Sequence, residues 1–114
     1  MVIVGGGAAG IELAFAFRTR FGSAACVTLI SKRPFEADAA LSAAAKAIRR
    51  VLVDRGITCI ESQAVVEAAA DSVVLSDGRS VAADVICAAT TVHPPDWILD
   101  SALPTEQGFL AVND

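Results

Sequence analysis

The sequence predicts an α/β fold, a parallel βαβαβ sheet in which a small antiparallel meander replaces the third crossover helix. Three observations carry this expectation. Two alanine-rich segments with helical periodicity alternate with short runs of apolar, often β-branched residues. Those runs lack polar alternation, as strands covered on both faces do. Beyond residue 60 the helical rhythm gives way to short strand-like pieces around an Asp-Gly pair, a strong hairpin signal.

The elements follow in order. Val2-Ile3-Val4 is a strand stopped by Gly5-Gly6-Gly7. From Ala8 to about Phe21 the residues are good helix formers, with Ile11, Ala14, Phe15 and Phe17 grouped on one side and Gly22-Ser23 ending the helix. CVTLI (26–30) is the second strand. Residues 39–55 predict the second crossover helix, with Leu41, Ala45, Ile48 and Leu52 at helical spacing and Gly56 where a C-cap falls. ITCI (57–60) is the third parallel strand. AVVEAA, SVVLS and RSVAA form the meander, turning at Asp77-Gly78. DVICAA (84–89) returns to the parallel sheet, before a loop with Pro94-Pro95 and the closing segment GFLAV.

Length and composition bound the function. A chain of 114 residues suits one domain and buries roughly two-thirds of its unfolded surface. Hydrophobic residues make up 54% and charged ones 19%, yet no apolar run approaches the roughly 20 residues of a membrane span. Nine basic against thirteen acidic residues give a net charge of −4, and the cations are scattered apart from Lys32-Arg33 and Arg49-Arg50. General nucleic-acid binding is therefore not expected. Cys26, Cys59 and Cys87 each fall in a strand-like run and read as buried structural thiols. With no C-x-x-C pair and no zinc-like spacing, they point to a reducing cytoplasm and to no metal. No signal peptide is expected, and the chain reads as an abrupt natural start or a piece of a longer protein.

Gly5, Gly7 and Gly10 satisfy G-x-G-x-x-G. The first glycine permits the tight turn out of the strand, the second lets a pyrophosphate approach the backbone, and the third lets helix and strand pack closely. The helix start offers N–H groups and partial positive charge to phosphates. Between a strand and an amphipathic helix, and opening a βαβαβ half, the motif favours a Rossmann-like dinucleotide site over a ligand-free packed turn. The residue closing the second strand normally selects the cofactor, a carboxylate accepting the adenosine 2′-hydroxyl and neighbouring cations a 2′-phosphate. Here Ser31-Lys32-Arg33 leans toward NADPH over NADH, while Glu36 or Asp38 in the next loop keeps NADH open.

The stretches VIVGGGAAGIELA, VTLISK, LVDRGI, VVLSDGRSVAADVICAAT and GFLAVND together resemble the NAD(P)H-binding domain of the pyridine nucleotide-disulfide oxidoreductases, the two-dinucleotide-binding flavoproteins. The resemblance covers nearly the whole chain. It implies a domain inserted in an FAD-binding domain, its nicotinamide giving hydride to that neighbour's flavin. Gly5, Gly7, Gly10 and the backbone of Ala8 and Ala9 would hold the pyrophosphate. Ser31, Lys32 and Arg33 would meet the adenosine ribose, and Ala89, Thr90 and Thr91 would border the nicotinamide half. FAD itself is not expected on this chain. The flavin-binding domain of the parent chain is the implied partner; a homodimer of the parent stays open, because in this family the dimer surface usually belongs to a domain other than this one.

Glu12 matches a glutamate that, in disulfide-reductase members, pairs with a lysine of the flavin domain beside the nicotinamide and flavin rings. Without the resemblance it reads as a first-turn carboxylate set against the helix dipole. The family commonly ends the last parallel strand with A-T-G-x-x-P; ATTVHP puts Thr91 in the glycine's place, where a β-branched residue resists positive φ and fills space. His93 reads as a loop residue, Trp97 as packing on the local core, and Phe15, Phe17 and Phe21 as core and helix–sheet contacts. Two other functions stay open, a non-catalytic nucleotide-binding module and a flavin-binding domain; the lack of an acid after VTLI argues against the latter.

Overall fold

The computed structural model describes Met1–Val112; Asn113 and Asp114, which close the GFLAVND stretch, lie outside the described residues. Strand β1 (Val2–Val4) runs through the glycine turn into helix α1 (Ala8–Phe21), followed by β2 (Thr28–Ile30), α2 (Ala45–Asp54) and β3 (Thr58–Ile60). The meander is β4 (Val65–Ala68), β5 (Ser72–Leu75) and β6 (Ser80–Ala82), and β7 (Ile86–Ala88) rejoins the first sheet. Its strands are all parallel in the order β3-β2-β1-β7, with Ile3 opposite both Leu29 and Cys87. The meander forms a separate antiparallel sheet, β4-β5-β6. The predicted α/β architecture holds.

Strand alternation divides the core in two. Ile3, Leu29, Cys59 and Cys87 face the helices and pack with Ile11, Ala14, Leu41, Ala45 and Leu52. Val2, Ile30, Ile60 and Ile86 face the other way, onto Val73, Leu75 and Ala83 of the meander region. The meander thus covers the face that a third crossover helix would otherwise cover, and the apolar runs of the parallel strands are explained by both faces being occupied.

Several expectations are corrected. The second strand begins at Thr28, so Cys26 precedes it and is exposed; Cys59 and Cys87 are half-buried. The second helix begins at Ala45. Residues 35–44 instead hold two 3-10 turns, Phe35–Ala37 and Ser42–Ala44, because the Asp38 carboxylate accepts the Ala40 N–H at 2.9 Å and draws the backbone into a local turn. The Pro94-Pro95 loop leads into a short helix α3 (Asp96–Asp100), with Pro95 as its N-cap. GFLAV is half of a two-stranded hairpin, β8 (Thr105–Glu106) and β9 (Phe109–Leu110), turning through Gln107 and Gly108 at positive φ. Phe15 and Phe17 pack on the core, but Phe21 is 46% exposed, its ring tilted against Phe17 with centroids 6.0 Å apart. Trp97, expected in the core, is 62% exposed.

Candidate functional site

A cleft of about 600 Å³ opens at the carboxyl ends of β1, β2 and β7. The chain crosses outward from β1 to β2 and β3, then returns to place β7 on the other side of β1, so the cleft sits at the point where strand order reverses. Its volume lies within the roughly 300–1,000 Å³ of small-molecule sites.

The glycine turn forms its floor. Gly5 adopts φ +128°, and a Cβ there would run into the Ala89 carbonyl. A Cβ on Gly10 would run into the Gly5 carbonyl, so this glycine lies beneath the cleft, where α1 crosses β1, and does not line it. Gly7 differs: a Cβ there meets no protein atom within 4 Å. Gly7 is also the N-cap of α1, no side chain caps the helix, and Ala8 and Ala9 line the cleft beside it. Open space at an uncapped helix N-terminus fits an anionic group such as a pyrophosphate.

The facing wall is the segment after β2. Ser31 is buried, its hydroxyl donating to the Arg33 carbonyl at 2.6 Å and lying against Gly6. This internal bond leaves the exposed Lys32 and Arg33 as the cationic side chains of the cleft. Pro34, Phe35 and Asp38 complete that wall, and Ala89, Thr90 and Thr91 close the opposite end. Gly6, Pro34 and Phe35 are lining residues that the sequence did not single out; the packing of Gly6 on Ser31 and the burial of Phe35 are tertiary and leave no local signal. Thr91 is exposed at the cleft and is not among the positive-φ residues, so its β-branch is unstrained.

Glu36 does not line the cleft. Both its oxygens accept from Arg49 Nη1 and Nη2 at 2.5 Å. Arg49 Nε and Nη2 also donate to Glu61, at 2.5 and 2.7 Å, and Glu61 Oε2 accepts the Phe35 N–H at 2.9 Å. The Arg49 guanidinium holds the Glu36 carboxyl down at about 2 and lowers that of Glu61, against the opposing effect of burial.

Glu12, expected in the first turn of α1, is the fifth residue of that helix; it is exposed and lies outside the cleft. Burial pushes the Cys59 thiol up to about 11, so it is protonated at neutral pH. Cys59 and Cys87 sit on opposite edge strands in matching register, three strand spacings or about 14 Å apart, beyond disulfide reach. Among the described residues no cluster of His, Cys, Asp and Glu is arranged to hold a metal ion, and no helix is long and apolar enough to cross a membrane.

The sequence profile of the pyridine nucleotide-disulphide oxidoreductases matches residues 1–114. The chain belongs to that family. Among solved structures it is similar to the ferredoxin reductase for the CYP199A2 system of Rhodopseudomonas palustris, at 25% identity and a TM-score of 0.77 over 95% of this chain and 28% of that one. A NAD-dependent persulfide reductase from A. fulgidus shares 22% identity with a TM-score of 0.75, over 94% of this chain and 20% of that one. An FAD-dependent pyridine nucleotide-disulphide oxidoreductase from Desulfovibrio vulgaris shares 22% identity with a TM-score of 0.68, over 82% and 24%. None of the curated proteins matches the chain. This pyridine nucleotide-disulphide oxidoreductase chain therefore spans about a quarter of the length of these solved relatives.

Proposed function

We propose that residues 1–114 are the NAD(P)H-binding domain of an FAD-dependent oxidoreductase, presenting the nicotinamide to a flavin held by another domain of the parent protein. The observation that carries this reading is the open position at Gly7, facing an uncapped α1 N-terminus across from Lys32 and Arg33 in one cleft. Bound NAD(P)H supplies a hydride; the chain's own residues bind and orient it. The backbone at Gly5, Gly7, Ala8 and Ala9 receives the pyrophosphate, with Gly10 permitting the close helix–strand packing beneath. Lys32 and Arg33 meet the adenosine ribose and favour a 2′-phosphate, hence NADPH over NADH. Ala89, Thr90 and Thr91 border the nicotinamide. Glu12, exposed on α1, is free to orient a lysine of the flavin-binding domain. The three free thiols fit a reducing cytoplasm.

Thr91, where the family pattern has glycine, supports a second reading as a nucleotide-binding module without hydride transfer. Calorimetric titration with NADH and NADPH tests both readings, using Gly7→Val as the control. Gly7 has φ −76° and ψ −178°, extended backbone that valine adopts readily, so the variant fills the open position without straining the turn. Saturable binding lost in Gly7→Val supports the cradle, and binding of neither nucleotide by the folded chain overturns it. In the parent protein, flavin reduction by NADPH separates the first reading from the second.

A further inference from the structure

We infer that Arg49 is a selectivity-determining positioning residue, which withholds the Glu36 carboxylate from the ribose end of the cleft and so keeps that end cationic. The inference rests on the nucleotide reading above and extends it to a residue outside the cleft.

Glu36 lies between two cleft-lining residues, Phe35 and Asp38, yet takes no part in the lining itself. Its carboxylate is turned away and held by both terminal nitrogens of Arg49, a planar fork matched to a carboxylate. Arg49 cannot follow Glu36 toward the cleft, because its Nε and Nη2 are held by Glu61 just beyond β3. Glu61 is fixed in turn by the Phe35 N–H, and Phe35 is fully buried with the guanidinium 5.5 Å from its ring centre. The restraint runs from β3 through α2 to the loop.

Charge makes the restraint selective. One arginine and two glutamates leave this group at 1 − 2 = −1, so Arg49 has no spare charge for a phosphate and does not act as an anion ligand. A released Glu36 would add a carboxylate beside Lys32 and Arg33. It would repel a 2′-phosphate and accept a free 2′-hydroxyl, reversing the preference that the two cations set. Of the two carboxylates that the sequence suggested for a ribose contact, Glu36 is thus present in the loop but withheld by α2, while Asp38 lines the cleft with its carboxylate accepting the Ala40 N–H.

The test measures dissociation constants of NADPH and NADH for the wild-type chain, Arg49→Met and Arg49→Met/Glu36→Gln, with circular dichroism confirming the fold. Arg49→Met should lower the NADPH-over-NADH affinity ratio by about fivefold, and the double variant should restore it to within about twofold of wild type. A general loosening of the loop would weaken both nucleotides alike without rescue by Glu36→Gln, and that result overturns the inference, as does an unchanged ratio. Should Arg49→Met fail to fold, Arg49→Lys takes its place: a single ammonium cannot fork to both carboxylates, and the same fall and the same rescue are expected. A wild-type chain that binds neither nucleotide overturns the nucleotide reading and this inference together; binding with equal ratios in all variants overturns the inference alone.

Discussion

Gly10 approaches the carbonyl of Gly5 so closely that a methyl group on residue 10 would take the place of that oxygen. This contact seats α1 on β1 and fixes where the helix N-terminus points. Gly10→Ala should therefore cost about 3 kcal/mol in urea denaturation, since backbone is the obstacle and cannot move aside cheaply. Gly7→Ala meets no atom and should change stability by less than about 1 kcal/mol. If the two variants are equally unstable, the division between a packing glycine and an open one is wrong.

Gly5 was legible because the turn out of β1 demands a positive φ, and the strand-glycine-helix order puts Gly5 and Gly7 at the cleft, with Gly10 packed beneath it, without tertiary knowledge. Leu41, Ala45, Ile48 and Leu52 were legible as core by their spacing, even though the helix proper starts only at Ala45. The Asp38 turn that delays it is a competition between side-chain and helical hydrogen bonding, which periodicity does not register. Cys26 was misplaced because a continuous apolar run does not show where a strand begins. Least legible was the Glu36–Arg49–Glu61 group, whose members are separated by 13 and 12 residues, spacings that no helical or strand repeat brings together.

That group predicts an acid transition. Both carboxyls are held below their ordinary value of 4.5, Glu36 down to about 2, chiefly by hydrogen bonds from Arg49. A depressed folded-state value means that the contribution is complete above the unfolded value and lost as pH falls through the folded one. The melting-temperature difference between wild type and Arg49→Met should be constant from neutral pH to about 5 and shrink below about 4.5. A difference that instead widens in acid would show that the pair opposes folding.

Arg18 works at the other end of the sheet. Its Nη1 donates to the carbonyls of Gly22 and Ala25 at 2.7 and 2.9 Å, and its Nη2 to that of Gly56 at 2.5 Å, tying the loops that enter β2 and β3. Its buried Nε has no partner, which offsets part of the gain. Arg18→Met should destabilise the chain by about 2 kcal/mol while leaving nucleotide affinity unchanged, because the cleft lies at the carboxyl ends of the strands. Chemical denaturation and calorimetry on the same variant separate the two effects.

Gly6 and Ser31 form a second close pair, this time across the cleft floor. A Cβ on residue 6 would collide with both Oγ and Cβ of Ser31, and the same hydroxyl holds the Arg33 carbonyl that shapes the Lys32-Arg33 arch. Gly6→Ala should cost about 2 kcal/mol, and Ser31→Gly, which removes both obstructing atoms, should recover about half of that in the double variant. Ser31→Ala leaves Cβ in place and should recover less. Additivity of Gly6→Ala and Ser31→Gly to within about 0.5 kcal/mol would contradict the contact. The coupling has a functional side, because either change frees the arch. On the proposed reading, in which the positions of Lys32 and Arg33 set the NADPH-over-NADH ratio, relief of the collision should therefore restore stability without restoring the wild-type ratio.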